Sequence, residues 1–202
     1  MRVLIACEFS GRVRDAFIKK GHDAVSCDLL PTEQPGPHIQ GDVLEILNDG
    51  WDLMIAHPPC TYLSNAGARF LYPKGKLNIE RLHKAHVAKE FFLQLWTSDI
   101  ELICIENPTP STIIGMPVHS QVIQPYYFGD AVQKRTLLWL KRLPNLGYNY
   151  NGEPPQSTKI AGNWFNRGGK ERQRNRAVTF QGIANAMAEQ WGTDTKELRY
   201  EI

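Results

Sequence analysis

Cys60 ends the run Ala56-His57-Pro58-Pro59-Cys60, where two prolines fix the backbone and can hold a short side chain out into a cleft. An ordinary thiol, with a pKa of roughly 8.5, is a few per cent thiolate at neutral pH, and that thiolate is a strong nucleophile. The competing role for a lone cysteine is that of a small buried hydrophobe. Cys7, Cys27 and Cys104, within or at the ends of apolar runs, are assigned to it. Glu106, in Glu106-Asn107-Pro108, closes the next strand-like run after the one that leads to Cys60. Neighbouring ends of a parallel sheet can meet over one cleft, so a nucleophile and an acid are expected to face the same substrate. A Glu that merely caps a turn is the alternative.

Other strand-like runs also stop at polar residues. Glu8-Phe9-Ser10-Gly11 follows the first, Asp28 closes the second, and Asp42 follows the loop after it. Gly11 would let backbone approach a ligand at a helix N-terminus, and an acid closing a second strand is placed to bind ribose hydroxyls. Together they point to a cofactor containing adenosine, against the alternative of an ordinary turn and a solvated Asp. The chain has neither a Gly-x-Gly-x-x-Gly nor a Gly-Lys-Ser/Thr motif there, which argues against a dinucleotide and against a P-loop and favours S-adenosylmethionine.

The elements that must carry these residues follow from hydrophobic spacing. Strands are expected at 3–7, 24–27, 52–56 and 102–105, and helices at 12–20, 43–47, 78–96 and 182–191. In the longest helix Leu82, Val87, Phe91 and Leu95 should turn towards the sheet. Segments 126–128 and 136–140 read as a final antiparallel pair. This alternation predicts an α/β domain, a mostly parallel central sheet flanked by helices. With 202 residues, 42% of them hydrophobic, one domain spanning 1–202 is expected. Periodicity fades over 141–180, where Pro and Gly are frequent.

The order of these motifs resembles the cytosine-5 DNA methyltransferases, most of all their short, phage-type members. Phe9-Ser10-Gly11 resembles the first cofactor motif, Asp28 the ribose-binding acid and Asp42 the acid that contacts adenine. Pro58-Pro59-Cys60 resembles the nucleophile motif and Glu106-Asn107-Pro108 the Glu-Asn-Val motif. Gln133-Lys134-Arg135 resembles the start of Gln-x-Arg-x-Arg, and the stretch around Asn185 the Gly-Asn-Ala-Val motif that returns to the cofactor. The resemblance implies a Rossmann-like S-adenosylmethionine-dependent methyltransferase fold. It also implies catalysis by Cys60, Glu106 and Arg135, and cofactor contacts from Phe9, Ser10, Gly11, Asp28, Asp42, Pro58 and Asn185, with S-adenosylhomocysteine as product and no metal. Cys60 would add to ring carbon 6, Glu106 would hydrogen-bond ring nitrogen 3, and the target base would be flipped out of a duplex or already single-stranded. Three positions depart from the family pattern: Val13, Thr61 and Leu137 stand where it has Gly, Gln and Arg.

Only 49 residues separate Arg135 from Asn185, where relatives of that family carry a sizeable target-recognition domain. Sequence readout is therefore expected to be short, or delegated to a protein partner or a homodimer. That stretch does contain Arg167, Lys170, Arg172, Arg174 and Arg176, five cations in ten residues beside Trp164-Phe165, which suits phosphate contacts with stacking. A solvated basic loop is the competing reading. Lys74 and Lys76 are assigned to backbone phosphates as well. The net charge of +2 selects no partner by itself.

DNA is placed ahead of RNA as the substrate. RNA, another pyrimidine modification and a non-catalytic subunit remain as alternatives. No Cys-x-x-Cys pair, zinc-spaced cluster, signal peptide or apolar run of membrane-spanning length occurs in the chain. Those features lead to the expectation of a reduced, cytoplasmic protein that needs no membrane, in a bacterium or a phage-infected host.

Overall fold

The computed structural model describes residues 1–148 and 178–193. Among these residues seven strands form one sheet: β1 (Arg2–Ala6), β2 (Asp23–Asp28), β3 (His38–Gln40), β4 (Leu53–Ala56), β5 (Leu102–Asn107), β6 (Gln121–Ile123) and β7 (Thr136–Lys141). Their order is β3-β2-β1-β4-β5-β7-β6, parallel except for β7, which runs antiparallel to both β5 and β6. This is the α/β class expected, a mostly parallel sheet flanked by helices and compatible with a Rossmann-like fold. The strand order reverses between β1 and β4, and that reversal opens a crevice beyond the carboxyl ends of the strands.

Among the described residues three helices cover the sheet: α1 (Arg12–Lys19), α2 (Ile79–Trp96) and α3 (Gln181–Trp191). Strand side chains alternate between faces, so Val3, Ile5, Leu53, Ile55 and Cys104 share one core with Phe17 of α1 and Met187 of α3. Leu4, Ala6, Met54, Ala56, Ile103 and Ile105 share the other with Phe92 and Leu95 of α2. The central strands are thus apolar on both faces, as a parallel sheet requires. One indole lies in each core: Trp139 donates to the Pro117 carbonyl at 2.9 Å and Trp191 to that of Pro144 at 3.1 Å.

Several expectations are corrected. The segment 126–128 is not a strand but lies in a 3-10 turn, Pro125–Phe128, because Pro125 lacks an amide hydrogen for a ladder and Gly129, at φ 92°, ends the turn. The antiparallel partner of β7 is instead β6, a short strand that spacing did not reveal. Likewise β3 lies within the Pro/Gly-rich loop and has only three residues, too few to show a period. The short helix placed at 43–47 is a 3-10 turn, Val43–Glu45. On α2, Leu95 is buried but Val87 is 50% exposed, since the buried stripe runs through Ala85, Phe92 and Leu95.

Arg14, fully buried on α1, ties the loop after β2 to the sheet. Its guanidinium donates to Ser26 Oγ and Thr32 Oγ1, each at 3.2 Å, and to the carbonyls of Gln34 at 3.0 Å and Pro35 at 3.3 Å. Gly11 lies against that group: its φ of 74° suits glycine, and a Cβ there would come within 2.5 Å of Arg14 Nη2. Removing the guanidinium leaves several acceptors unpaired at once. Arg14→Ala is therefore expected to destabilise the fold by about 3 kcal/mol, read as a lower urea midpoint at unchanged m-value. A shift under about 0.5 kcal/mol would show that Arg14 does not hold this loop.

Candidate active site

The loops after β4 and β5 are bound to one another. Asn107, buried at the end of β5, donates its side-chain amide to the Pro58 carbonyl at 3.0 Å, fixing the first proline ahead of Cys60. Beyond Cys60, the Asn65 amide donates to the Thr109 carbonyl at 2.9 Å and the Ser111 amide to the Leu63 carbonyl at 2.8 Å. The Cys60 carbonyl itself accepts from the amides of Leu63 and Ser64, at 3.1 and 2.9 Å, so the chain turns sharply just after the thiol. Arg81 of α2 holds this turn, donating to the Thr61 carbonyl at 3.0 Å and lying 5.1 Å from the Tyr62 ring centroid. Cys60 is half-buried, and Pro58 is buried.

Ala56 pairs in register with Ile105, so His57 and Glu106 are the next residues on adjacent strands. His57 Nδ1 lies 3.0 Å from Glu106 Oε2 and 3.4 Å from Thr179 Oγ1. Lys134 Nζ stands 3.8 Å from Glu106 Oε1 and 5.7 Å from the centroid of Phe180. The Glu106 side chain is only 11% exposed. Burial pushes its carboxyl up, but Lys134 and the His57 hydrogen bond outweigh that and hold it at about 2. Among the described residues His57 Nε2 is buried with no hydrogen-bond partner. An unmet polar atom there costs about 1–3 kcal/mol, so it marks a place where a polar group of a ligand would be welcome.

Arg135, assigned to the base, is exposed and donates from Nε to Thr109 Oγ1 at 3.2 Å; its neighbour Lys134 is the cation set against Glu106. His57, Asn107, Lys134 and Thr179 had no assigned role in the sequence. The signal for His57 was its place directly after a strand that pairs with the strand of Glu106. Lys134 could be found only from the pairing of β7 with β5.

On the cofactor side, Asp28 is half-buried at the end of β2, where burial raises its carboxyl while the Leu30 amide, donating at 2.9 Å, opposes the rise. Asp42 is exposed and caps the 3-10 turn after β3, accepting from the Leu44 amide at 3.0 Å. Asp28 is the last residue of β2, and Asp42 lies two residues beyond the end of β3. The helix N-terminus differs from expectation. Glu8 fills it, its carboxylate accepting from the amides of Val13 at 2.8 Å and Arg14 at 3.2 Å and from Ser10 Oγ at 3.0 Å. The anion that α1 receives is therefore the chain's own, while Phe9 and Ser10 are buried and Gly11 faces Arg14. Asn185 is exposed on a groove of about 410 Å³ between α1 and α3, whose lining includes Arg12 and Gln34 but neither Asp28 nor Asp42.

Three thiols are suppressed. Burial and nearby Asp28, Cys27 and Asp42 push Cys7 up, burial and Asp28 lift Cys27 to about 11, and burial with Glu106 raises Cys104. Cys7 also holds a left-handed backbone, φ 57°, at the crevice end of β1. Lys74, at φ 54°, and Lys76 are exposed between Cys60 and α2. Arg167, Lys170, Arg172, Arg174 and Arg176 lie outside the described residues. Among the described residues no group of three or more His, Cys, Asp or Glu side chains could hold a metal ion, and no helix is long and apolar enough to cross a membrane. No protein-family model matches the chain, and no curated protein matches its sequence.

The Glu106 cluster makes stability depend on acid. Its folded value of about 2 lies below the ordinary 4.5, so its contribution is complete above about pH 4.5 and is lost as pH falls towards 2. Urea titrations at pH 7 and pH 3 are expected to show wild type losing more stability than Glu106→Gln over that interval. Equal losses in the two proteins would mean that Glu106 is not held ionised.

Proposed function

We propose that this chain transfers a methyl group from S-adenosylmethionine to carbon 5 of cytosine in DNA, with Cys60 as covalent nucleophile. The observation that carries the proposal is the union of the β4 and β5 ends. Asn107 grips Pro58, the segments beyond Cys60 and Glu106 exchange hydrogen bonds, and so the loop past β4 that carries the thiol is tied to the end of the strand that carries the carboxylate. The order of the motifs around them supports the same reading. The three buried or charge-crowded thiols leave Cys60 as the cysteine suited to attack.

The chain's own residues then divide the work. Cys60 Sγ adds to ring carbon 6, which is electrophilic only while ring nitrogen 3 and the exocyclic amine are held. Glu106, ionised and nearly out of water, accepts from that amine and faces nitrogen 3. Lys134 keeps the carboxylate charged, and Asn107 keeps the nucleophile loop in register with it. Asp28 and Asp42 suit the hydroxyls and amine of an adenosine. When bound there, S-adenosylmethionine supplies the methyl group that carbon 5 receives. The filled N-terminus of α1 leaves Phe9, Ser10 and Gly11 to shape that pocket rather than to bind an anion. A methyltransferase variant of the Rossmann-like fold accommodates all of these placements. DNA, rather than RNA, is the substrate that the motif order favours.

Methyl transfer from labelled cofactor to DNA and to RNA tests the reading directly. DNA is expected to be labelled, with Cys60→Ser lowering the rate by at least about 10³-fold, the scale set by losing a covalent nucleophile. DNA containing 5-fluorocytosine should trap wild type covalently and leave Cys60→Ser untrapped, because the fluorine cannot leave as a proton does. Labelling of RNA alone would move the same chemistry to that polymer, and labelling of neither would overturn the assignment.

A further inference from the structure

Addition of Cys60 to carbon 6 leaves nitrogen 3 needing a proton, and among the described residues the groups beside the Glu106 carboxylate are placed to relay one. Two groups stand there. His57 Nδ1 is 3.0 Å from Oε2, a hydrogen bond, whereas Lys134 Nζ is 3.8 Å from Oε1, beyond hydrogen-bond length. Thr179 Oγ1, 3.4 Å from Nδ1, flanks the ring from the segment that leads into α3. Nε2 on the opposite edge is buried and has no hydrogen-bond partner among the described residues. The charges that act on this pair are Glu106 from β5, Lys134 ahead of β7 and Asp28 from β2, whose carboxyl senses His57. The His57 side chain is 5% exposed, so its imidazole acts on the carboxylate nearly out of water.

Resting on the methyl-transfer reading above, we infer that His57 is the positioning residue behind Glu106 that supplies the proton of ring nitrogen 3 and takes it back. As the Cys60 thiolate forms the bond to carbon 6, the pair of the carbon 5–carbon 6 double bond moves between carbons 4 and 5. The pair between carbon 4 and nitrogen 3 moves onto nitrogen 3. Glu106 takes a proton from His57 Nδ1 and presents it to nitrogen 3, the carboxyl turning about its last torsion, which has little rotameric preference. His57 is left neutral. The pair between carbons 4 and 5 then forms the new bond at carbon 5, to the transferred methyl or, without cofactor, to a solvent proton, while the nitrogen 3 pair re-forms its double bond to carbon 4. On elimination carbon 5 releases its original proton to solvent, that pair becomes the carbon 5–carbon 6 double bond, Cys60 departs with the pair it brought, and nitrogen 3 returns its proton through Glu106 to His57.

Hydrogen exchange at carbon 5 isolates this step, because addition and reversal release tritium from cytosine-5-tritiated DNA without any cofactor present. Wild type is expected to release tritium, and Cys60→Ser to release none. His57→Gln and His57→Asn, which keep a polar group beside Glu106 but cannot shuttle a proton, should both slow release by about 100-fold or more while DNA affinity stays within twofold. Added imidazole should restore at least tenfold of the loss in His57→Ala and should leave wild type unchanged. Release within threefold of wild type in either amide variant would overturn the role, as would an imidazole-insensitive loss in His57→Ala, or a loss in Lys134→Gln with the amide variants unimpaired. No release by wild type defeats the cytosine reading and this role with it, a result told apart from failure of His57 alone by the wild-type arm.

Discussion

A carboxylate that surrenders most of its water needs countercharge within a few ångströms, and Glu106 draws it from two directions. His57 arrives from β4 through parallel register, and Lys134 from the residue run that enters β7. The antiparallel course of β7 is what makes the second contact reachable. Leu137 pairs with Asn107, so the start of β7 lies at the carboxyl end of β5, and the residues before it reach the crevice. A parallel strand in that place would bring its carboxyl end there and carry Lys134 to the opposite edge of the sheet. Charge compensation and strand direction are therefore one design.

Strand endings were the most legible part of the chain. Parallel strands buried on both faces must be apolar throughout, so the residue at which polarity returns marks the crevice; Asp28 and Glu106 fall in the last two residues of β2 and β5, and Cys60 lies four residues past β4. Long elements such as α2 were legible for the same reason, although the buried stripe slipped past Val87 to Phe92, because a helix so weakly amphipathic does not declare its face. The short strands β3 and β6 carry three residues each and cannot display a period, and their existence depends on the edges of β2 and β7. Lys134 was invisible for a different reason. It belongs to the site only through a pairing that local spacing does not encode, and a neighbouring arginine drew attention instead.

Around the first helix, residue types were easier to see than their tasks. Glu8, Ser10, Gly11 and Arg14 sit where a ligand-binding turn would be expected, yet they satisfy one another. The carboxylate of Glu8 meets the helix amides, and the guanidinium of Arg14 fills the space beside Gly11 and pins the loop over β2. A buried cation on one short helix and a buried acid at its N-terminus stiffen the wall of the crevice rather than leaving it open to an outside anion. Glycine there answers to Arg14 as much as to any ligand.

The sheet is assembled out of sequence order, and this has a consequence for how the chain comes off the ribosome. When β5 emerges, its parallel partner β4 is already made, but its other edge stays bare until the whole of β6 and the following turn have been synthesised. During that interval Glu106 has His57 beside it and no lysine, and an unpaired strand edge is exposed to other chains. Arrival of β7 closes the edge and delivers Lys134 in the same motion, so the nascent chain completes its aggregation guard and its charge balance in a single late event.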